Sequence, residues 1–258
     1  MDVFLPRQPD GTFTVPACAN ELQQSETLKA KSPQELDDEI QRLDKRRVRM
    51  VSVRRQQVLL LGQERLQECL EAHNIEVGSI GYAGGFTGSL GQGRGYELAV
   101  SDTLRALHQA AELKAKSLVI LPGCRARLTY NHASNTILAG LERCLDDALR
   151  FRITMHVALN TVLGGGRDVF RPINKSPLEW ISEMGSHRIR ARMIVRGPES
   201  WESLPDCWRA CLRSGGVLRL SRRCQELEGT RMVISRVVRA LNQPVPVKDS
   251  GMMSLKQP

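Results

Sequence analysis

The sequence predicts an α/β fold, a (β/α)8 TIM barrel whose completeness at the C-terminal end it leaves open. Three observations carry this. Short, largely apolar runs alternate with amphipathic helical stretches, the pattern of a parallel sheet buried on both faces. The length of 258 residues matches the roughly 250 typical of such a barrel. No repeat at solenoid periods and no low-complexity segment interrupts the alternation. The chain is read as one domain, residues 1–258, with a doubly wound open sheet as the rival architecture.

In chain order, residues 12–15 are a candidate first strand. Residues 32–46 read as a helix, with Ser32 as N-cap, Pro33 at the first position, and Leu36, Ile40 and Leu43 in one stripe. The β-branched run 48–53 reads as a strand. A helix follows at 63–72 with Leu66 and Leu70 on one face, its start open as far back as the apolar run 58–61. A strand is expected at 75–81, a helix at 102–114 on Leu104, Leu107 and Ala111, and a strand at 117–121 stopped by Pro122-Gly123. Then come a long helix, 134–150, with Ile137, Leu141, Leu145 and Leu149 in register, and a strand at 153–159. Further helices are expected at 177–184, 201–212 and 231–241, and further strands at 189–195 and 217–220. Residues 245–247 make a poor eighth strand because of their prolines, and no helix follows it.

Composition narrows the function classes. No apolar run approaches the ~20 residues that span a bilayer, and residues 1–10 do not form a signal peptide. Seven cysteines are scattered through the chain, and Cys207 and Cys211 are spaced by four, which is not a CxxC pair. The expectation is a cytoplasmic protein with reduced, mostly buried thiols and no membrane partner. Aromatic content of 4% argues against a stacking platform for single-stranded nucleic acid. The net charge of +9 is uneven. Residues 1–150 hold 19 Lys+Arg and 19 Asp+Glu, so the whole excess lies in 151–258. Such asymmetry accompanies an anionic partner or an ordinary solvated surface.

Several motifs bear on chemistry. Tyr82-Ala83-Gly84-Gly85-Phe86-Thr87-Gly88 follows a strand, which in a barrel sets it on a βα loop at the catalytic face. Glycines there let the backbone approach a ligand, or merely loosen the loop. Gly91, Gly93 and Gly95 are wrongly spaced for GxGxxG, and Gly164-Gly165-Gly166 lacks the Lys and Ser/Thr of a P-loop. Asn131-His132-Ala133 precedes a helix, where His132 either meets a substrate hydroxyl or simply ends a loop. His73, His108 and His187 read as structural. His156 lies within a strand and is placed to face a barrel interior. No two histidines have metal-ligand spacing.

On these residues the chain resembles a known family. The stretch 79–88, then Ala99-Val100, residues 110–115 and Leu118-Val119-Ile120, then Asn131-His132-Ala133 with its helix and the strand from Ile153, are together similar to sugar phosphate isomerase/epimerase-like proteins. These belong to the xylose isomerase-like TIM-barrel superfamily, in a planctomycete-like group. The resemblance covers roughly residues 47–215 and rests on several segments in order, none diagnostic alone. It implies a divalent metal such as Mn or Mg at the C-terminal ends of the strands, held by carboxylates and a histidine. The metal would stabilise an enediolate while a carboxylate moves the proton.

The sequence departs from that pattern at the metal. Where the family has Glu after the fifth strand, Asn160 stands; where it has Asp after the sixth and seventh, Arg196 and Arg222 stand. Asp249 is a weak last-strand candidate. Arginines at these places repel a cation, so no metal and no other cofactor is expected. They are either solvated or, with Arg219, an anion site. The leading expectation is a divergent sugar isomerase/epimerase-like barrel, a pseudoenzyme, binding a carbohydrate-like or anionic small molecule. The substrate-binding candidates are Tyr82, Phe86, Arg125, Asn131, His132, Asn160, Arg196 and Arg222, with no catalytic residue assigned. One alternative is an active metal-dependent isomerase or epimerase using His132, His156 and Asp249. The other, a basic nucleic-acid- or protein-binding module, lacks a supporting motif.

Overall fold

A computed structural model of the chain describes residues 2–4, 23–88, 95–123, 128–158, 186–195, 217–220 and 239. Eight strands close a barrel in sequence order: β1 (Asp2–Phe4), β2 (Gln23–Thr27), β3 (Met50–Arg54), β4 (Glu76–Gly84), β5 (Ser117–Leu121), β6 (Thr154–Ala158), β7 (Ile189–Val195) and β8 (Val217–Leu220). Neighbours from β2 to β8 are parallel. β1 runs antiparallel to both β2 and β8 and closes the ring. The helices are α1 (Pro33–Lys45), α2 (Arg55–Leu61), α3 (Gln63–Ala72), α4 (Tyr96–Glu112) and α5 (Tyr130–Arg150).

The expected strands at 117–121, 189–195 and 217–220 form with those bounds, and those at 48–53, 75–81 and 153–159 form with small shifts. The expected strands at 12–15 and 245–247 lie outside the described residues, as do the helices at 177–184 and 201–212. Of the helix at 231–241 only Arg239 is described, and it is helical. The ring's opening strands are instead 2–4 and 23–27. The second of these, Gln-Gln-Ser-Glu-Thr, is too polar for an apolar-run reading and is held by its ladder to β3.

Two element corrections bear on the rim. The run 58–61 is not an early start of α3. It belongs to α2, a separate helix ended by Gly62, whose φ of 79° turns the chain before α3. β4 continues to Gly84, so Tyr82, Ala83 and Gly84 are strand residues rather than loop. Gly84 is obligatory there. Its φ is 106°, and a Cβ would collide with the Leu121 carbonyl of β5.

The β2–α1 and β3–α2 joints are tied by specific bonds. Ser32 caps α1 by accepting from Glu35 N at 3.3 Å. The buried Glu39 carboxylate accepts from Lys29 N and Ala30 N at 2.8 and 2.6 Å, clamping the β2–α1 connection onto α1. Gln57 donates to the Leu28 and Ala30 carbonyls, both at 2.9 Å, and accepts from Arg54 N at 3.0 Å. The connection between β2 and α1 is thereby fixed to the start of α2.

Helical faces drift slightly from the predicted stripes. In α5 the buried face is Ala133, Ile137, Leu141, Cys144 and Ala148, while Leu149 is exposed. Along β5 and β6, Leu118, Ile120, Met155 and Val157 belong to the helix-packed core. Strand alternation turns Ser117, Val119 and His156 to the lumen.

Candidate functional site

The barrel interior carries hydroxyls where many barrels carry branched apolar side chains. Ser25, Ser52, Ser79 and Ser117 are all buried, on four successive strands. Ser25 Oγ and Ser52 Oγ are 2.6 Å apart, Ser79 donates to Ser52 Oγ at 2.8 Å, and Ser117 donates to the Gly78 carbonyl at 2.9 Å. The first three hydroxyls satisfy one another and Ser117 is satisfied by the backbone, which permits a polar layer inside the sheet. His156, 5% exposed, adds an imidazole to the same wall.

Arg192 of β7 is 2% exposed. It lines a cavity of about 20 Å³ at the barrel mouth together with Thr27, Ser52, Arg54, Ser79 and Tyr82. Beside this small space lies the larger one, about 660 Å³, within the range of small-molecule sites. It runs between α2 and α4 over the C-terminal end of β4. Leu59, Ala83, Ala99 and Leu121 give it apolar wall, and Arg54, Arg55, Gln56, Asp102 and Gln109 give it polar wall. Arg54, Gly81 and Tyr82 line both spaces and form the ridge between them.

One ion pair organises the larger cavity. Arg55 Nη1 and Nη2 donate to Asp102 Oδ2 and Oδ1 at 2.7 and 3.1 Å, a two-pronged bridge from α2 to α4. The same guanidinium donates from Nε to Gln109 Oε1 at 3.2 Å and from Nη1 to the Tyr82 carbonyl at 3.4 Å. Asp102 also faces Arg105 at 3.5 Å. Both partners of the main pair are about one-fifth exposed (22% and 20%), so water screens the bridge only in part.

The sequence-derived candidates separate. Tyr82 stands on the ridge with 42% of its surface exposed. Phe86 does not reach the cavity. It is 1% exposed and its ring lies over Gly140 of α5, where a Cβ would run into it. Asn131 and His132 are in the first turn of α5, not ahead of it, and both are exposed. His132 N donates to Thr129 Oγ1, the helix cap, at 3.3 Å. Arg125, Asn160, Arg196, Arg222 and Asp249 lie outside the described residues, and of Arg219 only the backbone is described, in β8.

Arg54, Arg55, Asp102, Gln109 and Arg192 carry no motif and were not legible as a site. Arg192 did leave a trace: a charged residue mid-strand in a sheet buried on both faces has only the lumen to face.

The divalent cation implied by the resemblance does not fit the described donors. Hard cations take carboxylate and carbonyl oxygens. The described side chains at the barrel mouth offer hydroxyls, a phenol and two guanidinium groups. Among the described residues no group of three or more His, Cys, Asp or Glu could hold a metal ion. Among them also no helix is long and apolar enough to cross a membrane.

No family model matches the chain, and no curated protein is similar to it in sequence. Solved structures are similar in fold. The 3-keto-D-glucoside 4-epimerase YcjR of E. coli matches with a TM-score of 0.61 at 13% identity, over 85% of this chain and 88% of that one. A D-allulose 3-epimerase from Methylomonas sp. in complex with D-allulose matches with a TM-score of 0.59 at 11% identity, over 85% and 81%. A family 2 AP endonuclease from Brucella melitensis matches with a TM-score of 0.52 at 15% identity, over 67% and 69%. The chain thus has the fold of the xylose isomerase-like TIM barrels, the fold that the sugar isomerase/epimerase-like resemblance implied. At these identities the likeness concerns the fold, and one fold hosts unrelated chemistries.

Proposed function

We propose that this protein is a divergent sugar isomerase/epimerase-like barrel that binds a carbohydrate-like or anionic small molecule at its C-terminal rim without a metal. The observation that supports it best is the rim itself. A cavity of about 660 Å³ opens beside an exposed Tyr82 ring, and the adjoining barrel mouth contains the buried Arg192 among serine hydroxyls. Hydroxyls, guanidinium groups and an aromatic face suit a polyhydroxylated or negatively charged ligand. They do not suit a divalent cation, whose charge the guanidinium groups oppose.

In this reading the rim binds and orients, and isomerase turnover is absent or vestigial. The fold neighbours named for sugar epimerases set the chemical neighbourhood of the ligand, not its identity.

The test is calorimetric titration of the purified chain, stripped with a chelator, with pentoses, hexoses and their phosphate esters. Saturable binding that weakens in Tyr82→Ala is the expected result. Interconversion of those sugars at ordinary enzyme rates on adding Mn²⁺ or Mg²⁺ would replace the proposal with that of a working isomerase.

A further inference from the structure

The geometry points to Arg54 as the residue that selects a sugar bearing one anionic group, a phosphate ester or a sugar acid, with the sugar ring against Tyr82 and the anionic group on the guanidinium. This deepens the proposed function and rests on it.

Arg54 ends β3 at the barrel rim and is exposed. It lines both the barrel mouth and the larger cavity. Its side chain enters no ion pair or hydrogen bond among the described residues; only its backbone N–H is engaged, by Gln57. Asp102, the acidic group among the described residues of the cavity wall, is held by both prongs of Arg55 and faces Arg105 as well.

Three of the cavity's polar groups are thereby matched to one another: Arg55 donates to Asp102 and to Gln109. Among the described residues lining the cavity, Arg54 is the unmatched cation, and none besides Asp102 is acidic. An unmatched guanidinium favours a ligand carrying an anionic group, because it presents the paired donors that phosphate and carboxylate oxygens accept. Tyr82 lies on the same ridge, so charge and ring recognition stand side by side. Leu59, 80% exposed, continues the apolar wall for the non-polar edge of a ring.

The experiment compares D-ribose 5-phosphate, D-ribose and inorganic phosphate, titrated by calorimetry into wild type, Arg54→Gln and Arg54→Lys, with thermal unfolding of each. In the wild type, ribose 5-phosphate should bind at least about tenfold tighter than ribose, as the loss or gain of a charge-assisted hydrogen bond requires. Arg54→Gln should erase that advantage while unfolding at the wild-type temperature. Arg54→Lys, which keeps the charge without the fork, should retain part of it. Undiminished binding of ribose 5-phosphate by a folded Arg54→Gln overturns the assignment, as does equal affinity of the wild type for ribose and its phosphate. In both cases the proposed function survives. Inorganic phosphate binding as tightly as ribose 5-phosphate removes Tyr82 and the ring from the inference. No binding of any probe defeats the proposed function and this inference together.

Discussion

Phe86 sits over a glycine in the middle of a 21-residue helix, an odd place for Gly by propensity alone. The contact explains it: Gly140 has no Cβ because the Phe86 ring occupies that space. Gly140→Ala should therefore destabilise by about 1–2 kcal/mol, overpacking outweighing the better helix propensity. Adding Phe86→Leu should recover part of that loss, a non-additivity that urea unfolding of the double mutant would reveal. If Gly140→Ala instead raises stability, the ring does not pack as described. The same helix buries Cys144, whose thiol burial pushes up to about 12. It should resist iodoacetamide at neutral pH in the folded chain and react once the chain is unfolded. Prompt alkylation of Cys144 under native conditions would contradict that.

At the scale of elements, βα joints decide the geometry of the rim. Gly84→Ala forces a side chain onto φ 106° and into the Leu121 carbonyl, so it should cost more than about 2 kcal/mol or prevent folding. A fully stable variant would mean that β4 and β5 are not this close. At the opposite end, Asp44 links the end of α1 to Arg49 at 2.9 Å and to His73 beyond α3 at 3.5 Å. The hydrogen bond from Arg49, then that from His73, hold its carboxyl below the ordinary value of 3.8. A depressed carboxylate contributes stability that is full above its unfolded pKa and is lost as pH falls through the folded one. The gap in thermal stability between wild type and Asp44→Asn should therefore close in acid below the carboxylate range. A gap that stays constant from neutral pH down to strong acid would exclude this linkage. The side chain is 41% exposed, so the effect should also shrink with salt.

These elements also show where sequence patterning speaks and where it falls silent. Ser32-Pro33 and the stripe Leu36, Ile40, Leu43 announced α1 because cap chemistry and helical periodicity are both local. β5 was legible as a short apolar run stopped by Pro122-Gly123, and β7 and β8 as short, only partly apolar strands. β2 was not, since Gln23–Thr27 owes its strand state to pairing with a distant segment and its lumen-facing residues are polar. Residues 82–84 read as loop because glycine marks both turns and strands approached closely by a neighbour, and only the fold distinguishes them. Tyr82 was legible as a rim residue. Arg54, Arg55 and Asp102 were not, because residues 54 and 102 are brought to one cavity by the barrel and not by any spacing.

At the scale of the molecule, the barrel divides its labour along the strand direction. The α2–α4 gap, bridged by Arg55 and Asp102, opens at the C-terminal ends of the strands, where barrels of this kind place function. Among the described residues, the serine-lined lumen beneath it and the buried Arg192 supply that end with hydroxyls and a guanidinium group. In the proposed function the rim recognises its ligand without a metal. Calorimetry of ribose 5-phosphate binding, run once in chelator and once in millimolar Mn²⁺, tests this most directly. Equal affinity in both is the predicted result. Binding that appears only with Mn²⁺ would contradict the account and return the protein to metal chemistry.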